Sequence, residues 1–180
     1  MTVRLGPFQL LSPLDAGGMA SIWTGQHLES GTPVAAKLIP PGELTATTRA
    51  TLEREIQTAA SLDHPGIVCI VDQGTTDEAA ALATGGQIEA GAPYLLMEYC
   101  SHTLSSLLPL TTWGELRTIL VSLLDALAYA HARGVIHRDL KPGNVLFGGP
   151  DDLRPGLKIS DFGIAHALDR ADPETGTRKL

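Results

Sequence analysis

The stretch His137-Arg138-Asp139-Leu140-Lys141-Pro142-Gly143-Asn144 packs a carboxylate, an ammonium and an amide into one short segment. Phosphoryl transfer needs these three groups at one place: a carboxylate to orient a hydroxyl nucleophile, a cation beside the transferring phosphate, and an oxygen ligand for Mg²⁺. Taken alone, the segment also fits a polar turn after a helix. Asp161-Phe162-Gly163 adds a second carboxylate, placed after a short apolar stretch, Leu157 to Ile159. Further upstream, Lys37 closes the run Val34-Ala35-Ala36-Lys37, and Glu53 and Glu55 lie in Glu53-Arg54-Glu55-Ile56. A single lysine at a strand end, or a glutamate on a helix, is ordinarily a solvated surface charge. His131 and His137 could suggest a metal pair, but no cysteine or third histidine completes such a site.

These groups must be positioned by elements that the patterning makes legible. Phe8 to Leu14, Ser21 to Gln26 and Pro33 to Ile39 read as short strands divided by glycine-containing turns. Leu52, Ile56, Ala59 and Leu62 recur at helical spacing, which predicts a helix over about residues 45–62, ended by Asp63-His64-Pro65-Gly66. Ile67 to Val71 and Tyr94 to Tyr99 read as two more strands. The Ala- and Gly-rich stretch between them reads as a long hairpin loop with room for a short helix at Asp77 to Ala83. Thr112 and Glu115 form a capping box that opens a long helix. Leu116, Ile119, Leu120, Leu123, Leu124 and Leu127 give that helix one apolar stripe, and Gly134 can end it. The expected fold class is therefore α+β, with a strand-rich first part and a helical second part.

Composition narrows the function classes. The chain has 180 residues, a formal net charge of −7 and a pI near 5.2. That balance argues against a general binder of nucleic acid or of anionic membrane, both of which need basic surface. No run of about 18 apolar residues suggests a membrane span. Two cysteines, Cys69 and Cys100, lie in apolar stretches and do not make a disulfide framework, so they read as reduced thiols of a cytoplasmic protein.

Together the motifs resemble those of the eukaryotic-type, or Hanks-type, serine/threonine protein kinases. The segment from His137 to Asn144 is similar to the family's catalytic loop, and Asp161-Phe162-Gly163 to its metal-binding motif. Val34-Ala35-Ala36-Lys37 resembles the strand-borne lysine motif, with Ala36 where isoleucine is usual. Glu55, just before Ile56, stands where the family's Arg-Glu-Ile pattern puts the glutamate that pairs with that lysine, and it is preferred to Glu53. Asp15-Ala16-Gly17-Gly18-Met19-Ala20-Ser21-Ile22 aligns with the glycine-rich loop. Gly17 takes the central position, while Asp15 and Ala20 replace the outer glycines. Gly17-Gly18-Met19 itself resembles bacterial members.

The resemblance implies a two-lobed fold: a five-stranded antiparallel small lobe with one helix over residues 1–99, then part of a helical large lobe over 100–180. It implies ATP and Mg²⁺ as cofactors and a protein Ser or Thr as acceptor. Asp139 would orient the hydroxyl, Lys141 would neutralise phosphate charge, and Asn144 and Asp161 would hold the metal. Lys37 and Glu55 would position ATP, with Leu14, Gly17 and Gly18 among the nucleotide-binding positions. Met97 would be the gatekeeper, backbone groups of Glu98 and Cys100 would meet the adenine edge, and Ile22, Ala35 and Leu146 would sandwich the ring. Lys141 follows the serine/threonine pattern, and Arg138 that of kinases whose activation segment is ordered by phosphorylation. Gly176-Thr177 resembles the start of the substrate-docking end of that segment, and the Ala-Pro-Glu motif does not follow before Leu180. This implies an incomplete domain that exposes apolar surface, one that a second copy could cover as a homodimer. The rival readings are a nucleotide-binding pseudokinase or regulatory module, a small-molecule phosphotransferase, and an inert remnant.

Overall fold

The structure is a computed structural model, and it describes residues 3–16, 20–40, 45–109, 112–150 and 152–162. The expectations placed on Gly17, Gly18, Gly163 and Gly176-Thr177 lie outside the described residues.

The first part is a six-stranded sheet, all of whose pairings are antiparallel. In chain order its strands are β1 (Val3–Leu5), β2 (Phe8–Ala16), β3 (Ser21–His27), β4 (Pro33–Leu38), β5 (Ile70–Thr75) and β6 (Pro93–Glu98), in the spatial order β1-β2-β3-β4-β6-β5. The expected five strands are thus joined by β1, which is too short to announce itself by alternation. Helix α1 (Ala46–Ala60) packs on one face, its N-terminus capped by the Thr45 hydroxyl, which accepts the Thr48 amide. Leu52, Ile56 and Ala59 are buried, as their spacing requires.

Strand alternation sorts β4 into two sets. Val34, Ala36 and Leu38 face an outer core with Trp23 and Leu96, while Ala35 shares an inner core with Leu52, Ile56 and Met97. Lys37 follows Ala35 at the strand period of two, so its buried side chain emerges on that inner face. The outer face is closed by the segment between β5 and β6. There the short helix α2 (Glu78–Ala83), capped by Asp77, buries Ala80, and Ile88 follows it into the same core. The stretch read as a long loop is therefore a lid on the outer sheet face.

One strand boundary differs from the sequence reading. Ile67 and Val68 do not begin β5. Ile67 instead bridges Ile159, and the Ile159 carbonyl accepts the Val68 amide at 3.0 Å. An apolar run carries no information about which of two sheets its ends will join.

The second part contains a three-stranded sheet: β7 (His102–Thr103), β8 (Val145–Gly148) and β9 (Gly156–Ile159). Helix α3 (Leu104–Leu107) precedes the long α4 (Trp113–Ala132). Thr112 and Glu115 form the expected capping box, each side chain accepting the other's amide, and Gly134 ends the turn at φ 74°. The apolar stripe of α4 is split. Ile119, Ala126 and Ala130 are buried, with Leu123 and Leu127 packed beside them. Leu120, Val121 and Leu124 are exposed, at 42%, 56% and 64%, and Trp113 is exposed at 70%.

Candidate functional site

The two parts meet at a cavity of about 530 Å³, open at one side. Its roof is the sheet: Leu14, Ile22, Ala35 and Lys37 line it from β2, β3 and β4. Its back is the end of β6 and the segment after it, with Met97, Glu98 and Cys100. Its floor holds Asn144, Leu146 and Asp161. Every described position expected to touch a nucleotide lies on this wall except Glu55.

The floor is built by one histidine. His137 is buried, its Nε2 2.7 Å from the Ser160 carbonyl, and its Nδ1 accepts the Asp139 amide at 3.3 Å. Those partners require the neutral tautomer with the proton on Nε2. The ring also meets Phe162 edge-on at 4.7 Å, and Phe162 is buried among Ala59, Leu62 and Ile67. His137 thereby joins the loop carrying Asp139 to the strand end carrying Asp161. Two non-glycine residues here have left-handed backbone, Arg138 at φ 68° and Asp161 at φ 62°. Such conformations cost on the order of 1–3 kcal/mol and persist where surrounding contacts hold them.

Desolvation pushes the His137 pKa below its usual 6.5, although the Ser160 carbonyl and the Asp161 and Asp139 carboxylates act against this and the Lys141 ammonium with it. The unfolded chain then takes up a proton near 6.5 that the folded chain refuses. Stability is accordingly full above 6.5 and falls as pH drops through that value toward the folded pKa. The expected result is a lower melting temperature at pH 5 than at pH 7, with a smaller difference in His137→Gln. An equal pH dependence in both proteins would refute the assignment.

The charged groups converge closely. Lys37 Nζ donates to Asp161 Oδ1 at 2.7 Å, across 124 residues of sequence. Lys141 Nζ donates to Asp139 Oδ2 at 2.7 Å, and the Asn144 amide donates to the Asp139 carbonyl at 2.8 Å and to its Oδ2 at 3.1 Å. Burial opposes ionisation of Asp139, but the Lys141 ammonium, by hydrogen bond and charge, and the Asn144 amide outweigh it and hold the carboxyl below its usual range. Asn144 spends its nitrogen on Asp139, which leaves its side-chain oxygen for another partner. The Asp161 carboxylate lines the same cavity, and both groups are hard oxygen donors of the kind that suits Mg²⁺.

Glu55 is elsewhere. Its Oε1 accepts from Arg138 at 3.3 Å, and no Lys37–Glu55 ion pair is present. The expected pairing with Lys37 is thus replaced by two others, Lys37–Asp161 and Glu55–Arg138. The rival, Glu53, lies toward Gln73 and Tyr94 on another side of α1, away from the cleft. The physical reason is proximity: the packing brings the Asp161 carboxylate to 2.7 Å from Lys37 and the Arg138 guanidinium to 3.3 Å from Glu55.

The mouth of the cleft includes groups the sequence reading passed over, Thr103 and Ser106 at the start of α3. The Thr103 hydroxyl accepts the Ser106 amide at 3.2 Å, and the Ser106 hydroxyl donates to the Thr103 carbonyl at 2.7 Å. A threonine three residues before a serine was the available signal, weaker than the acidic capping box. Burial, and next the Glu98 carboxylate, push the Cys100 thiol up to about 12, so it stays protonated at neutral pH and contributes wall, not a nucleophile.

Comparison with known proteins agrees with this geometry. A protein kinase domain profile matches residues 8–179. Serine/threonine-protein kinase Pkn1 of Myxococcus xanthus is 32% identical over 182 residues, covering 96% of this chain and 24% of that protein. PrkC of Bacillus subtilis is 33% identical over 174 residues, covering 91% and 23%. The chain thus spans about a quarter of the length of these relatives. The crystal structure of the Mycobacterium tuberculosis PknI kinase domain superposes with a TM-score of 0.67 at 27% identity, covering 90% of this chain and 62% of that one. With its motifs gathered on one cleft in a kinase fold, the chain belongs to the protein kinase domain family, of the Hanks type, and is similar to its bacterial serine/threonine members.

Proposed function

We propose that this segment is the nucleotide-binding and catalytic-loop part of a serine/threonine protein kinase that transfers the ATP γ-phosphoryl group to a protein hydroxyl. One observation carries the reading. Lys37 and Asp161, 124 residues apart in sequence, meet at 2.7 Å on the wall of a cavity of nucleotide size that Asn144 also lines, and Asn144 in turn holds Asp139 at 3.1 Å. Residues 1–99 act as the small lobe and 100–180 as the start of the large lobe.

Each residue has a role set by its surroundings. The adenine ring lies between Ile22 and Ala35 above and Leu146 below, its edge against the backbone of Glu98 and Cys100, with Met97 behind it. Leu14 at the cavity roof and Gly17 and Gly18 after it are further nucleotide-binding positions. Lys37 holds the α- and β-phosphates, and Glu55 moves from Arg138 to support it. Asn144 and Asp161 hold Mg²⁺, which when bound would neutralise phosphate charge. Asp139, ionised at neutral pH, accepts a hydrogen bond from the substrate hydroxyl. Its lowered pKa makes it a weak base, so it acts mainly by orienting that hydroxyl. Lys141 leaves Asp139 for the transferring phosphate.

No helix among the described residues is long and apolar enough to cross a membrane. A cytoplasmic setting fits a consumer of ATP. The test uses the polypeptide as the cell makes it, incubated with radiolabelled ATP, Mg²⁺ and a mixed protein substrate. Label is expected on Ser and Thr and is expected to vanish in Asp139→Asn. Label confined to tyrosine or to a small molecule, or a signal unchanged in the variant, would refute the reading.

A further inference from the structure

The cleft has an adenine end at Glu98 and a phosphate end at Asp161, and one side-chain pair joins them from behind. Lys158 in β9 and Glu98 at the end of β6 have completely buried side chains, with Nζ 3.5 Å from Oε2. Lys158 also donates to the Pro65 carbonyl at 2.9 Å. The other carboxylate oxygen of Glu98 accepts the Cys69 amide at 2.8 Å, while the Glu98 amide donates to the Cys69 carbonyl at 2.9 Å. Oε2 makes no hydrogen bond, so the Lys158 charge is its compensation. Three stretches of chain meet here: the end of β6, the 65–69 segment after α1, and the strand leading into Asp161.

A buried ion pair is a poor way to gain stability. Desolvating both charges costs about what their attraction returns, and an apolar pair of similar volume often does as well. What such a pair does supply is position, because each charge tolerates only the place where the other is. Glu98 presents its backbone to the cleft, and Lys158 stands three residues before Asp161, whose φ of 62° leaves little freedom of its own. If Lys158 lost its charge, the carboxylate would be driven toward water, and the adenine-facing backbone would move with it. If Glu98 lost its charge, the ammonium would draw β9 away and Asp161 after it.

We propose that Lys158 and Glu98 are positioning residues that set the adenine edge and the metal-binding aspartate at a fixed separation. The proposal rests on the kinase reading of the cleft. Both ends of the site should therefore respond to a change at either residue, although neither side chain faces the nucleotide.

The test is calorimetric titration of the full 180-residue chain with adenosine, which probes the adenine end alone, and with Mg²⁺-ATP. The proteins are the unaltered chain, Lys158→Met, Glu98→Gln and the double variant, each followed by thermal melting. Each single variant is expected to lose about tenfold in affinity for both ligands, and the double variant to recover part of that loss, as coupled neighbours do. If Lys158→Met does not fold, Glu98→Gln, which keeps the side chain's shape, carries the comparison. Variants that melt lower but bind as tightly as the unaltered chain would make the pair merely structural and overturn the proposal. So would a loss limited to one ligand, or tighter binding, which would mean that the pair restrains the cleft. Failure of the unaltered chain to bind Mg²⁺-ATP would instead strike at the kinase reading, and the inference would fall with it.

Discussion

Residues 1–180, purified alone, are expected to bind Mg²⁺-ATP and yet to phosphorylate a basic protein no faster than the Asp139→Asn variant does. The residues proposed as catalytic are present, and the expected shortfall is in what surrounds them. A catalytic loop works when its groups are held within about half an ångström of the productive geometry by the residues around them. Here the loop follows α4, whose Leu120, Val121 and Leu124 face solvent together with Trp113. An apolar face of this kind is a surface that wants a partner. The solved PknI kinase domain, of which this chain covers 62%, has further residues with no counterpart here. A small displacement of the loop is expected where α4 is uncovered, and misplacement alone can remove several orders of magnitude in rate. Scintillation counting of labelled protein decides the matter. Transfer clearly above the Asp139→Asn blank would show that α4 needs no cover, or that a second copy provides it, and light scattering on the same sample separates these cases.

The second large effect concerns Asp161. In Asp161→Asn, the strengthening of ATP binding by Mg²⁺ is expected to fall by about a hundredfold, the scale of damage when a metal site loses part of its support. Binding measured in chelator should change in the opposite direction. Asp161 now occupies the Lys37 ammonium at 2.7 Å and places a carboxylate beside the phosphate position. Removing that charge frees Lys37 for phosphate and removes a repulsion, so metal-free ATP should bind a few times more tightly. Titrations with and without Mg²⁺ give both numbers. Equal losses under the two conditions would mean that Asp161 supports the fold and not the metal, and that the donor pair with Asn144 is misassigned.

The state of Glu55 bears on both results. Held by Arg138, it leaves Lys37 to the Asp161 carboxylate, so α1 does not reach Lys37 through Glu55. The phosphates of bound ATP are expected to draw Lys37 from Asp161 and to let Glu55 approach it. Nucleotide binding and the position of α1 are therefore expected to be linked through these two ion pairs, with Arg138 released as Glu55 leaves it.

Local patterns determined much of this protein. The spacing of Leu52, Ile56 and Ala59 defined α1, the Thr112–Glu115 box started α4, and alternation in β4 placed Ala35 and Lys37 on one face. The clustering of His137, Asp139, Lys141 and Asn144 named the chemistry, because phosphoryl transfer needs those groups together and few other tasks do. What the sequence could not contain was any choice between equivalent partners. Lys37 had two carboxylates within its possible reach, and Glu55 two cations. An ammonium pairs with whichever oxygen the packing brings within about 3 Å, a matter of distance and not of order along the chain. The partner strand of the Val68 amide was equally undetermined, since Ile67 and Val68 could extend β5 or join β9. The burial of Lys158 against Glu98 was likewise invisible. A lysine in Gly156-Leu157-Lys158-Ile159 reads as the solvent-facing member of a short strand, and only the segment at Pro65, folding over it from far away in sequence, turns it inward. Motifs determine which groups a chain can offer to a reaction; packing decides which of them touch, because contact depends on how separate elements close around one cleft.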